Sequence, residues 1–448
     1  MPITTTTTTT TTDAGASPAA RWQALRYGAL AAPLALVGLP LYVYLPSLFA
    51  QFTGLSLVAI GTVLLAARAL EAVADPFLGR AIERTQVAQP QRLPRYAVGV
   101  AALMALCVLA VLQAGAWLGL FADTRAKVVA LTSCVALAYL AYSWLTVAHH
   151  AVGAAIVAQG TRAESLYSTR EALALAGVLL GSVLPLVMGW AAYGWVTAAM
   201  LALGLWALAP LWAVLRVTTA TVATAVTAHT ARFGLWQDRY LRRTWWAFFI
   251  SNVSGSLPAT LLGFFVADVL GLGLDAAPRY LAIYFLAAAL GFAAWPKLAL
   301  RWGTARVWAA AMLANGAIFA GAAFLSADLA QVAWWYGAVC FATGLLLGAE
   351  LMLPQSLVAS HLARIAQSQA AGSVFGWWTF AQKTALALAA GVGLWGLAWL
   401  GYAPSTLSTP AVGAAPLVWL YCIVPCLLKI AAAALAWPLH HTPKDNKP

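Results

Sequence analysis

Arg68-Ala-Leu-Glu71-Ala-Val-Ala-Asp75-Pro76 sits inside an apolar run, Leu57–Leu78, that has the length of a bilayer span. A charge near a bilayer centre costs about 2.5–3.5 kcal/mol even on the lenient insertion scale. At about 100° per residue, positions 68, 71 and 75 fall within roughly 60° of one another, so the three side chains share one helix face. That face is excluded from lipid and belongs to a bundle interior or a wet cavity. An intramembrane charge cluster of this kind marks a functional site by default.

The remainder of the chain has the same solvent in view. It is 63% hydrophobic and 8% charged, with mean hydropathy +0.83, against about 25% charged residues in soluble chains. The net charge of +12 does not point to nucleic acid, because Lys and Arg fall in short clusters between apolar runs. Cys107, Cys134, Cys340, Cys422 and Cys426 all lie within apolar runs and read as packing residues. Thr4–Thr12 is an unbroken threonine run without the basic start and short apolar core of a signal peptide, and residues 1–20 are expected to be a disordered tail.

Runs long enough to cross occur at about 27–51, 57–78, 96–118, 127–151, 171–191, 195–215, 245–270, 280–300, 307–326, 332–355, 373–401 and 415–438. Threading these twelve runs puts nineteen Lys and Arg on one side and three, Arg125, Lys127 and Arg279, on the other. The positive-inside rule then places both termini in the cytoplasm of a bacterial-type plasma (inner) membrane. A polar stretch containing Thr218-Thr-Ala-Thr-Val-Ala-Thr divides the spans six and six. The expected organisation is a tail 1–20, a six-helix half 21–216, a cytoplasmic linker 217–243, a second half 244–438 and a tail 439–448. An all-α polytopic protein of twelve transmembrane helices in two halves is similar to the major facilitator fold, whose substrate site lies near the midplane between halves.

Glu71 and Asp75 are an i, i+4 carboxylate pair, suited to holding a proton or a small hard cation reversibly, H⁺ or Na⁺, with no soft ligand for a transition metal. Arg68, one turn earlier, offers a local counter-charge; a static brace for helix packing is the competing reading. Lys383, in Gln382-Lys383-Thr384, can face the two acids across a central cavity. Glu350 can pair with Lys383 or with Lys429, and Lys429 lies near enough to the cytoplasmic end to snorkel. The fourth span offers Tyr142, Trp144, Thr146, His149 and His150. Metal binding by the adjacent histidines is disfavoured, but His150 can relay protons at neutral pH. Arg170 opens the fifth span as gate or topology anchor. Asn252 and Pro258 make the seventh span polar and breakable, and Trp378 lies beside the charged segment of the eleventh; Asn252 and Trp378, with Tyr142, Thr146, His150, Arg170, Glu350 and Lys383, are expected to line the substrate cavity. The chain has no phosphate-cradling Gly-rich loop, His-Glu-x-x-His or Gly-x-Ser-x-Gly, so it is not read as an enzyme and no cofactor beyond the coupling ion is expected.

Pro40-Leu-Tyr-Val-Tyr-Leu-Pro46, Arg68-x-x-Glu71-x-x-x-Asp75-Pro76-x-x-Gly79, Asp268-Val-Leu-Gly, Tyr284-Phe…Trp295, and Gly348-Ala-Glu350-Leu-Met-Leu-Pro354 followed by Gly376-Trp-Trp…Lys383 together resemble the glycoside–pentoside–hexuronide:cation symporter family over residues 27–438. By its melibiose permeases, the resemblance implies that Glu71 and Asp75 serve cation binding and that Arg170 and Lys383 take part in transport. Thr146 stands where those relatives carry an acid that binds sugar and cation site, Glu71 where Asp is usual, and Ser360 where an acid follows the proline motif. The family also includes carriers of amphipathic, lipid-like solutes. The expected function is therefore cation-coupled symport of a small organic solute, a sugar or glycoside by default, with H⁺ favoured over Na⁺. The alternatives are an exporter or lipid-like solute carrier on the same fold, and a non-transporting membrane sensor. Partners are the solute and membrane lipids, with no nucleic acid and no obligate protein partner.

Overall fold

The computed structural model describes residues 18–39, 57–121, 123–215, 234–273, 276–402 and 414–440. The Thr-rich run, the Pro40–Pro46 motif and most of the 217–243 linker lie outside the described residues, as do residues 441–448. The helices in chain order are α1 (Pro18–Gly28), α2 (Ala31–Leu39), α3 (Leu57–Ala88), α4 (Leu93–Leu112), α5 (Thr124–Ala158), α6 (Ala163–Leu208), α7 (Arg239–Phe264), α8 (Ala277–Gly291), α9 (Trp295–Trp302), α10 (Thr304–Ala320), α11 (Val332–Arg364), α12 (Ala371–Trp399) and α13 (Val424–Ala436).

Residues 18–20, expected in the tail, already belong to α1, which opens on Pro18, a residue preorganised for a first helical turn. Residues 239–243, expected in the linker, are the first turn of α7, because the Asp238 side chain caps it by accepting from the Leu241 amide at 2.8 Å. The fifth and sixth expected spans are merged in α6 across a break at Gly189, whose φ of 75° and ψ of 164° suit a residue without Cβ. The eighth is a bent pair, α8 and α9, meeting at 52°.

Among the described residues seven helices are long and apolar enough to cross a membrane, or eight if the bent pair is one span. The 32-residue α3 and the 29-residue α12 fall outside that set, and these two carry Glu71, Asp75 and Lys383. The polar groups that these two helices carry lower their mean hydropathy, and Glu71 and Asp75 are turned inward. Along α3, Leu64, Ala67, Glu71, Asp75, Gly79, Ile82 and Gln86 recur at spacings of three and four and are buried. Leu65, Leu70, Val73 and Phe77 point outward and are more than half exposed, giving lipid an apolar face.

Residues 18–215 and 234–440 form two helical groups on either side of the 216–233 segment. Within them α2 packs on α6, α4 on α5, α7 on α12 and α13, and α11 on α8 and α10. Between them α3 packs along α12, and α6 and α5 meet α11. Helices in lipid gain little from apolar burial against each other, so close approach over small residues does the work. Gly79, Gly372 and Gly376 supply it at the α3–α12 crossing. A Cβ on Gly376 would stand 2.6 Å from the Asp75 carbonyl oxygen, and one on Gly372 2.7 Å from that of Gly79. This crossing lies toward the arginine-rich end of the bundle, next to Arg80 and Arg84, and brings α12 directly onto the face of α3 that carries the two acids.

Candidate functional site

The two acids of α3 are among the most deeply buried ionisable groups of the protein, Glu71 at 1% and Asp75 at 0% exposure. Lys383 of α12 reaches across from the other helical group and stands between them. Its Nζ is 2.8 Å from Glu71 Oε1 and 2.9 Å from Asp75 Oδ2, and donates to Asp75 Oδ1 at 3.0 Å. Ser143 of α5 completes the set: its Oγ donates to Glu71 Oε1 at 3.1 Å and accepts from Lys383 Nζ. The close α3–α12 crossing is what allows this reach, since Gly376 lies two helical turns before Lys383. Two carboxylates and one ammonium leave one negative charge in excess among the three when all are ionised. Arg68, half-buried, lies against Tyr139 at the margin of the cluster.

A second polar link between the groups lies closer to the arginine-rich end. Arg170 forms an ion pair with its neighbour Glu171 in α6. Arg170 Nη1 donates to Gln355 Oε1 at 3.3 Å, and Gln355 Nε2 donates to Glu171 Oε1 at 3.1 Å. Gln355 belongs to α11, so its amide bridges both ends of an ion pair held by the opposite group. Ser168 Oγ donates to the Phe292 carbonyl and Thr304 Oγ1 to Glu164 Oε1, each at 2.6 Å. With the glycine crossing, these contacts close the arginine-rich end.

Between the two links runs one face of α5. Tyr142 is half-buried within electrostatic reach of both Glu71 and Arg170. Thr146 is half-buried one turn further, its Oγ1 without a hydrogen-bond partner among the described residues. His149 Nε2 bonds the Tyr27 carbonyl at 2.7 Å. His150, expected on a cavity wall, is instead packed: 2% exposed and stacked on Phe375 at 4.5 Å.

The third cluster is contained within residues 234–440. Lys429 does not snorkel. It is 6% exposed and ion-pairs with Glu350 of α11, because Ser251 and Glu350 give its ammonium an internal partner set nearer than water. Lys429 Nζ donates to Ser251 Oγ at 3.0 Å, Ser251 Oγ to Glu350 Oε2 at 3.1 Å, and Asn315 Nδ2 to Glu350 Oε1 at 2.8 Å. These groups form part of the wall of a cavity of about 320 Å³, which Asn252 also lines. Trp378 was expected on a cavity wall but is fully buried, because Phe248 stacks on it at 3.7 Å and takes the wall position itself.

Glu71, Asp75, Lys383, Arg170, Glu350 and Asn252 thus fall in or beside one of three polar clusters, with Arg68, Tyr142 and Thr146 at their margins. The sequence reading missed Ser143, Gln355 and Asn315. Each is an uncharged hydrogen-bonding side chain within an apolar run, and polarity at that depth is the signal that marks them. Among the described residues no three His, Cys, Asp or Glu side chains converge as a metal site.

Residues 26–440 match the family described as MFS/sugar transport protein. No curated protein matches the chain in sequence. Solved structures that share its fold include three transporters. A bacterial homologue of the iron transporter ferroportin, in an outward-facing state, superposes with a TM-score of 0.66 at 14% identity, covering 94% of this chain and 100% of its own. The same type of homologue with soaked iron gives 0.64 at 13% identity, covering 94% and 99%. FucP, a major facilitator superfamily transporter in the outward conformation, gives 0.58 at 14% identity, covering 94% and 100%.

Proposed function

The chain belongs to the MFS/sugar transport protein family and is a multi-pass membrane transporter of the major facilitator fold, and on that premise we propose that it couples H⁺ entry to symport of a small organic solute by alternating access. The observation that carries the proposal is the position of Lys383 between Glu71 and Asp75. Its ammonium fills the place a Na⁺ ion would need between the two carboxylates, whereas a single proton cancels the excess charge of the three groups without displacing anything. A buried carboxylate is costly unless it is paired or protonated, so proton and ammonium compete for the same acids, and that competition drives coupling. With one carboxylate protonated, Lys383 needs only one partner, and the α3–α12 contact weakens. Proton occupancy then biases whether the arginine-rich end stays closed, which is the differential interaction a coupled carrier requires.

Solute recognition follows the resemblance to glycoside–pentoside–hexuronide:cation symporters, with a sugar or glycoside as cargo. Thr146 stands where the melibiose permeases carry an acid, which removes one oxygen ligand for Na⁺ and supports the proton. The nineteen-to-three distribution of Lys and Arg supports cytoplasmic termini in a bacterial-type inner membrane, so the closed arginine-rich end is assigned to the cytoplasmic side. Uptake of a panel of sugars and glycosides into proteoliposomes, under an imposed pH gradient and separately under a Na⁺ gradient, tests this. Accumulation driven by the pH gradient alone is expected; accumulation driven only by Na⁺ overturns the assignment of the ion.

A further inference from the structure

One face of α5 carries polar groups from the acid–lysine cluster toward the arginine-rich, cytoplasmic end. Ser143, Thr146, His150 and Gly153 follow one another at spacings of three, four and three, so they form one row about 15 Å long. The row starts on the cluster itself, since Ser143 Oγ bonds both Glu71 and Lys383. It ends where two tyrosines converge: a Cβ on Gly153 would collide with the Tyr27 hydroxyl and stand 3.1 Å from that of Tyr167. Thr146 Oγ1, His150 Nδ1 and both tyrosine hydroxyls are shut off from solvent, with no hydrogen-bond partner among the described residues. Leaving a buried polar group unpaired costs about 1–3 kcal/mol, and packing alone gives no reason to gather four of them along one row. Side chains a turn apart stand about 5–6 Å from each other, a gap that one water bridges with a hydrogen bond at each end.

His150 is the member of the row whose charge can change near neutral pH. Its neighbour His149 is committed elsewhere: its Nε2 meets the Tyr27 carbonyl, which can only accept, so that nitrogen carries the proton and the ring is held. The titratable groups that face His150 are His149 of α5 and Tyr167 and Arg170 of α6, with Glu171 balancing the Arg170 charge. From the opposite helical group α12 contributes Phe375, whose ring lies on the imidazole at 4.5 Å and 8°. An imidazolium formed here would be buried beside the Arg170 guanidinium and under an apolar ring, with no partner of its own. Phe375 immediately precedes Gly376, the residue whose missing Cβ lets α12 lie on the Asp75 backbone. Parting of α3 and α12 at that crossing therefore carries Phe375 off the imidazole.

We propose that Ser143, Thr146, His150 and the Tyr27 and Tyr167 hydroxyls form the route by which the coupling proton leaves Glu71 or Asp75 for the cytoplasm, and that Phe375 is its gate. The gate is shut while the helical groups touch at the cytoplasmic end and open when they part. The proposal rests on the proton-coupled reading above and supplies its release step. The protonated carboxyl gives its proton to water between Ser143 and Thr146. One ring nitrogen of His150 takes up a proton as the other gives one up toward the tyrosines, and the carboxylate left behind regains Lys383. The gate matters because a row open in both states would discharge the proton gradient without moving solute.

Proton entry into pyranine-loaded proteoliposomes, driven by a K⁺ diffusion potential with no solute present, tests the route. The parent is expected to be tight. Phe375→Ala uncovers His150 and is expected to admit protons about tenfold or more faster, a modest share of what a positioned proton-transfer group can supply. Phe375→Val, a milder truncation, is expected to leak in the same sense to a smaller extent. Adding His150→Gln to either keeps a polar side chain that does not titrate, and should return the rate to that of the parent. A leak that survives His150→Gln comes from loosened packing and overturns the proposal, as does a parent-like rate in both Phe375 variants. Uptake of the sugar and glycoside panel by the parent under a pH gradient separates the two claims. The expected leak pattern in a parent that accumulates nothing upholds the route and removes the coupling reading. Accumulation by the parent without that leak pattern removes the route and leaves the coupling.

Discussion

Lys383 Nζ and Asp75 Oδ2 stand 2.9 Å apart although they lie 308 positions apart in sequence and belong to opposite helical groups. That contact is possible only because the α3 and α12 backbones touch over glycine. Removing one partner of a buried pair leaves the other uncompensated, at about 3–5 kcal/mol. Lys383→Ala is therefore expected to lower thermal stability in nanodiscs and to abolish gradient-driven uptake. Adding Asp75→Asn to Lys383→Ala should recover most of the stability and none of the uptake. Failure of the second substitution to restore stability would show that the pair is not the source of the loss.

The glycine crossing makes a separate demand. Gly376→Ala places a methyl carbon 2.6 Å from the Asp75 carbonyl oxygen, a backbone atom with no rotamer to give. The expected result is separation of α3 from α12 and opening of the arginine-rich end. Spin labels on α3 and α12 near that end should report a longer distance in Gly376→Ala than in the parent. An unchanged distance distribution would mean the helices absorb the methyl group elsewhere.

Gln355 is the only amide that bonds both members of the Arg170–Glu171 pair among the described contacts. Gln355→Leu retains the volume and removes two hydrogen bonds to charged groups, each worth about 1.5–3 kcal/mol. The closed state should lose occupancy, seen as greater maleimide labelling of a Ser168→Cys reporter from the cytoplasmic side. Labelling equal to that of the reporter alone would relegate Gln355 to packing.

Asp238 gives a pH signature outside the membrane. Burial alone would raise its carboxyl, but hydrogen bonds from His361 and from the Leu241 and Tyr240 amides, with the His361 charge, hold it below the ordinary aspartate value. A depressed folded value stabilises above the unfolded value and is lost as pH falls through the folded one. Asp238→Ala should cost about 1 kcal/mol, typical of an N-cap, at neutral pH, and the gap should close below about pH 3.9. A gap that persists unchanged at low pH would exclude the charge from its cause.

The charges were legible in the sequence because lipid leaves an ionisable side chain few places to go. Glu71, Asp75 and Lys383 were each singled out by a charge inside an apolar run, and their pairing followed from needing partners. Lys429 was left open between snorkelling and a pair with Glu350, because its distance from the span end was visible while Ser251 and Glu350, its partners, lie on two other helices. Trp378 was placed by sequence proximity to Lys383, but in a helix its neighbour Gln382 faces the cavity and Trp378 faces Phe248. The closing contacts at Gly79, Gly372 and Gly376 were invisible for a simpler reason: a glycine in an apolar helix has the same pattern whether it touches lipid or backbone.

Internal pH in pyranine-loaded proteoliposomes, followed as a sugar and glycoside panel is added outside without an imposed gradient, tests the coupling claim most directly. Solute entry is expected to acidify the interior in the parent, independently of Na⁺, and to leave pH unchanged in Glu71→Gln. Solute entry without acidification, or equal acidification in Glu71→Gln, would contradict a proton held by the Glu71–Asp75–Lys383 cluster.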